Sequence, residues 1–202
     1  MLRKIIVRNG LSVELIAIIA LLFIFTASIP VVVQAAEDAK SPEKLTLDGG
    51  AGEIVLNGTG TRKKFGFKVY EGALYLKAKT TDSKKIIESD EPMAITMSWK
   101  RQGPIDKTTD VFSEGFKYGA GANYAAQKAN IDTFIKSLIK AEKQDVWKYV
   151  YIPGQGTTIS YNNKVAATIT GLDFKKALFS IWLLEDASFT GDADLRKGML
   201  GK

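Results

Sequence analysis

The sequence predicts an α+β domain: a mostly antiparallel sheet with helices laid on one face. Three observations carry this. Short runs with period-2 alternation, divided by Gly- and Asn-rich turns, cluster between residues 44 and 100 and again between 146 and 170. Between the clusters, apolar residues recur at three- and four-residue spacing, the helical period. A further segment of that kind follows the last strand. No internal repeat, low-complexity tract or second domain is visible.

The chain opens with Arg3, Lys4 and Arg8, then an apolar run from Leu15 to Thr26, Pro30, and Val33-Gln34-Ala35-Ala36. A basic start, an apolar core and a small-residue site predict a signal peptide over 1–35, cleaved after Ala35 or Ala36. The competing expectation is an uncleaved anchor, because residues 15–33 come close to the ~20 that a membrane span needs. Pro30 and the cleavage site favour removal. Either way the rest is expected outside the cytoplasm, periplasmic or secreted. Membrane contact is then expected only through the N-terminal segment before cleavage.

Three of the 28 cations and one of the 22 anions leave with that segment, so the net charge falls from +6 to +4. The lysines are scattered rather than gathered in a stripe, and nucleic-acid binding is not expected. The chain has neither Cys nor His. An exported domain without disulfides must build a real apolar core. The missing imidazole excludes His-based triads, His general bases and the usual His-ligated zinc sites. No metal and no cofactor is expected.

Residues 36–43 read as a flexible lead-in to a domain over 44–202. Strands are expected at 44–47 and 53–57, divided by the Gly49–Gly52 turn. Gly58-Thr59-Gly60-Thr61 reads as a turn, because two glycines two apart admit backbone angles that other residues resist. Phe65 to Lys79 reads as a long half-buried strand, or two joined by a bulge at Glu71-Gly72. Phe65, Phe67 and Val69 share one face of it. A helical turn is expected around 83–88, and a strand over 94–100 with Ile95, Met97 and Trp99 on one face. Helices are expected over 108–117, capped by Thr109 or Asp110, and over 125–142. A meander of strands at 146–152, 157–161 and 165–170 follows, then a helix over 172–184 with Asp173 as its cap. A short helix over 192–200 closes the chain. Trp99, Trp147 and Trp182 are expected in the core.

Four pieces in order carry a resemblance: GTGTR at Gly58–Arg62, FGFKVYEGALYL at Phe65–Leu76, YIPGQGTTISYNNK at Tyr151–Lys164, and GLDFKKALFSIWLLED with LRKGMLG near the C-terminus. Together they resemble the chalcone isomerase-like family, in particular its exported bacterial members. The resemblance implies an open-faced β-sandwich, a large antiparallel sheet overlaid by helices with a ligand cleft between them. It also implies three functional branches: flavanone-forming isomerases, fatty-acid binders, and bacterial members thought to lack isomerase activity.

In the enzymes an Arg after the GxGxR turn holds the phenolate or its oxyanion equivalent; Arg62 matches it. Their strand Thr falls at Tyr70 here. Their further Tyr belongs in the region that reads RQGPIDKTTDVFSEG over 101–115, which has no Tyr; Lys107 and Asp110 lie near the expected places. In the fatty-acid binders an Arg at a strand end and a Tyr on the first cleft helix hold the carboxylate, for which Arg101 and Tyr118 are the candidate matches. The family's IWLG motif reads IWLL, with Leu184 in place of Gly, which implies a changed helix exit or cleft rim.

The reading is thus an exported, non-catalytic protein that binds a small amphipathic anion, fatty-acid-like or phenolic, through Arg62, Tyr70, Arg101 and Tyr118. A guanidinium is always charged and its fork of donors suits either head group. The alternative is a chalcone-flavanone isomerase-type intramolecular lyase, in which Arg62 would stabilise developing oxyanion charge. The missing Tyr favours binding.

Overall fold

The computed structural model describes residues 41–185 and 193–202; the expected signal peptide and its cleavage site lie outside them. Seven strands form one sheet in sequence order, every neighbour antiparallel: β1 (Lys44–Leu47), β2 (Gly52–Lys64), β3 (Phe67–Leu76), β4 (Met93–Trp99), β5 (Val146–Ile152), β6 (Gly156–Tyr161) and β7 (Lys164–Ile169). Helices fill the longer connections: α1 (Ser83–Glu88) before β4, then α2 (Ile105–Ala120) and α3 (Tyr124–Ser137) before β5. After the sheet come α4 (Leu172–Leu183) and α5 (Ala193–Met199). This is the α+β, open-faced arrangement that the sequence predicts.

The core sits between one face of the sheet and the helices. Leu74, Ile95, Met97, Trp147 and Tyr149 meet Phe112, Phe116, Phe134, Phe174, Leu178 and Trp182 there. Phe112 lies 4.9 Å from Phe134 and 5.8 Å from Trp182, ring centre to ring centre. Trp99, Trp147 and Trp182 are all buried, as expected. A smaller cluster around Ile54, Ala73, Tyr75 and Ala94 lines the opposite face. The unit Lys40–Lys202 is compact and packs these cores from its own residues.

The glycine pair is not a turn. Gly58 and Gly60 lie in the middle of β2, opposite Leu74 and Gly72 of β3. What they admit is a close neighbour. A Cβ on Gly58 would meet Gly198 O at 2.2 Å, and one on Gly60 would meet Leu195 O at 2.1 Å. Gly198 is reciprocally closed by Thr59 O at 2.2 Å. Helix α5 is therefore laid directly on the β2 backbone. Asn57, at a register shift in β2, fixes its end by donating to Met199 O (2.9 Å). Gly72 is no break either: Leu195 and Met199 lie against it, and β3 runs on unbroken.

The real reversal is Phe65-Gly66, with φ of 50° and 80°. Phe65 and Phe67 do not form an apolar inner face; they are 87% and 63% exposed. Helix α2 starts earlier than expected, behind Pro104 rather than Thr109 or Asp110: Pro104 is its N-cap, with an extended ψ of 137°, and its carbonyl accepts from Thr108 N at 3.0 Å to close the first turn. It also runs through Gly119, where a Cβ would meet Ala177 O of α4 at 2.3 Å. Helix α3 stops at Ser137 although the apolar period continues through Leu138 and Ile139. Leu138 is extended, and Ala141 and Gly103 exchange backbone hydrogen bonds of 2.9 and 3.2 Å. Gly171, not Asp173, precedes α4.

Lys175 of α4 is fully buried. Its ammonium donates to the carbonyls of Ile86, Ile87 and Ser89 at 3.1, 2.8 and 2.6 Å, satisfying the C-terminal end of α1. Burial, with a smaller push from Lys176, lowers its pKa to about 8.

Candidate functional site

Where β2 and β3 run past the helices, the sheet and α2 enclose a cavity of about 500 Å³. Its walls are apolar and aromatic: Val69, Met97 and Trp99 from the sheet, Val111 and Phe112 from α2, Ile181 and Trp182 from α4. Phe65 and Phe67 line it from the hairpin. Among the described residues its charged lining is of one sign, with Arg62, Lys64, Arg101 and Lys107 and no Asp or Glu. A low-dielectric pocket edged by one charge concentrates field lines toward the opposite charge.

Arg62 pairs with Tyr70 across β2 and β3, directly before a register shift at Lys63. Such irregularities re-aim side chains at sheet edges. The Nη1 of Arg62 is buried in the lining and has no hydrogen-bond partner among the described residues. A buried guanidinium donor without an acceptor is costly, so the position is poor as structure and good as an anion contact.

Tyr70 is 8% exposed, with its ring 5.4 Å from Trp99 and its hydroxyl accepting from Trp182 Nε1 at 3.1 Å. Arg101 is exposed at the mouth, its guanidinium 5.0 Å above the Phe67 ring. Lys107 is engaged by Asp106 (3.8 Å) and Asp110 (3.7 Å).

Three of the four site residues expected from sequence therefore share one cavity. Tyr118 does not join them. It is 56% exposed near the end of α2 and lines a second depression with Asp82, Glu88, Leu184 and Lys202. The resemblance put it on the helix that lines the cavity, but it lies nearly three turns beyond Thr108, away from the cavity. Leu184 lines that second depression too, so the IWLL departure does not touch the cleft rim. Its carbonyl instead accepts from Arg196 at 3.1 Å and ties α5 to the end of α4.

Sequence reasoning gave Trp99 and Trp182 to the core alone; they are both core and cavity wall. It also missed Lys64, Phe67 and Val111. The signal available was Phe65-Gly66-Phe67, aromatics beside a glycine in a basic run.

Among the described residues the hydroxyls of this lining are those of Tyr70 and Thr108, and Thr108 donates to Pro104 O at 2.9 Å. The arrangement can take a negative head group at Arg62 and bury an apolar body against the aromatics.

The model of the family described as chalcone isomerase-like matches residues 33–201. Among solved structures, the fold is similar to that of a fatty-acid binding protein of Arabidopsis thaliana. That likeness has a TM-score of 0.57 at 14% identity, over 79% of this chain and 90% of that one. No curated protein sequence matches.

Proposed function

This chain belongs to the chalcone isomerase-like family, and from that premise we propose that it is a non-catalytic carrier or sensor of a small amphipathic anion, with long-chain carboxylates as the first class. One observation carries the reading: an apolar cavity whose charged lining, among the described residues, is four cations, one of them with a buried donor that has no partner there. The likeness to a fatty-acid binding protein supports the same class. Arg62 anchors the head group, with Arg101 at the mouth and Tyr70 positioned beside it. Tyr118 has no part in this reading.

The N-terminal pattern supports export, to a periplasmic or extracellular location. The mature protein is expected to begin at Ala36 or Glu37 by intact mass; a mass beginning at Met1 removes this part of the proposal.

Ligand binding is tested by titrating fatty acids into the protein by calorimetry, with a chalcone turnover assay beside it. Arg62→Ala is expected to weaken binding ~10–100-fold, the scale of a hydrogen bond to a charged group. It should leave the unliganded Tm unchanged or higher. Tyr118→Ser should bind as the parent does. Ring closure well above the spontaneous rate and abolished by Arg62→Ala would replace the carrier by the intramolecular lyase. Absence of carboxylate binding would overturn the proposed ligand class.

A further inference from the structure

The cavity opens beside a hairpin tip that folding alone does not explain. Residues 62–68 read Arg-Lys-Lys-Phe-Gly-Phe-Lys, four cations and no acid. Phe65 and Gly66 form the two-residue reversal, and both have positive φ. That geometry is the preserve of Asn-Gly and Asp-Gly; a bulky aromatic at φ 50° is a strained choice. The ring obtains little packing in exchange, being almost wholly exposed, and Phe67 beside it is largely exposed as well. Its charged neighbour is Lys64, with Nζ 5.7 Å from the ring centre. Val111 of α2, which lines the cavity beside this tip, is also exposed. Among the described residues, Asp106 and Asp110 near this end are both engaged with Lys107, and Glu142, which accepts from Gln102 of the lining at 3.0 Å, is paired with Lys140.

We propose that this tip docks the protein on an anionic lipid bilayer, with Phe65 and Phe67 seated at the interface and the surrounding cations on the head groups. Aromatic side chains partition to the membrane–water boundary, and basic residues are drawn to an anionic leaflet. Two copies of the tip would set like charges against each other, which disfavours self-association through it. The same phenylalanines line the cavity, so docking places its mouth against the phase in which long-chain carboxylates reside. The docking stands on the hairpin; its use in loading the cavity rests on the ligand class proposed above. It adds a contact to the sequence-based expectation, which confined membrane contact to the N-terminal segment.

The test uses the compact unit Lys40–Lys202 without ligand, floated with vesicles of phosphatidylcholine alone or mixed with phosphatidylglycerol. Binding to the anionic vesicles is expected to exceed that to the neutral ones at least tenfold and to weaken with salt. Phe65→Asn should lower vesicle binding while raising Tm, because Asn accepts the turn geometry; a folding defect cannot produce that pair. Lys68→Glu, which does not line the cavity, should lower vesicle binding and leave fatty-acid affinity in vesicle-free solution unchanged. Loss of fatty-acid affinity with intact docking would remove the ligand class and keep the docking. The docking is overturned if the parent stays unbound at millimolar anionic lipid, if Phe65→Asn floats like the parent, or if the tip instead mediates a concentration-dependent dimer.

Discussion

The two halves of the β2–β3 ribbon are built on opposite rules. Around Gly58 and Gly60 the strands carry no side chain on one face, so α5 comes down to backbone contact and the structure closes. From Arg62 to Phe67 the same strands carry long cations and large rings, the pairing shifts register, and the structure opens around a cavity. One half is specified by removing atoms, the other by placing atoms that the fold leaves unsatisfied: a buried Nη1 and an exposed ring in a strained turn. The difference teaches where to look for function in a ribbon of uniform hydrogen bonding. It lies where local rules are broken without a packing gain.

The largest expected effect bears on the buried core of the sheet, most of it beyond the ribbon, and comes from pH. Burial raises the pKa of Tyr149 and Tyr75, and that of Tyr161 to about 12; burial and the Asp90 carboxylate raise that of Tyr151. An unfolded tyrosine ionises near pH 10. Between those values the folded chain keeps protons that the unfolded chain has released. Stability is therefore full below pH 10 and falls as pH climbs toward 12. Lys175 has the opposite sign over a lower window: with its pKa lowered to about 8, it adds stability as pH rises from there toward 10.5. The expected outcome is cooperative unfolding well above pH 10, followed by circular dichroism, with these phenols titrating in step with it by absorbance. Their ionisation near pH 10 without unfolding would show that this core is not dry.

The sequence made the sheet, its closing meander and the main helices readable because period-2 and period-3.6 patterns report burial directly. Ile95, Met97 and Trp99 fall on the core face, and Phe134 and Trp182 pack as their spacing implies. It misled where a residue answers to a partner distant in sequence. Gly58 and Gly60 look like a turn because nothing nearby reveals that α5, well over a hundred residues on, needs their missing side chains. Leu138 and Ile139 continue a helical period that the Gly103–Ala141 bridge overrides. At the site, Arg62 and Tyr70 came each from its own motif in the resemblance; that they face each other across β2 and β3 is seen only in the structure. Arg101 was legible as a strand end. Tyr118 was not, since membership of a helix does not say which turn faces the cavity.

The smaller effect tests whether the two halves of the ribbon are independent. In Gly58→Ala the new methyl must displace Gly198 O from 2.2 Å, and Gly201 N and Met199 O from 2.9 Å. All three belong to backbone that a rotamer change cannot move, so α5 has to lift. Overpacking of this kind costs about 1–3 kcal/mol, read as a lower denaturant midpoint with an unchanged slope. Arg62 is four residues farther along β2, roughly 13 Å at the rise of a strand. Sites that far apart with no shared partner add without coupling. Fatty-acid affinity of the folded variant is accordingly expected to match the parent within about twofold. A matching fall in affinity would mean that α5 also shapes the cavity through Leu195, whose Cδ1 lies against Gly72 beside the Tyr70 ring. The closed half would then be part of the site rather than its foundation.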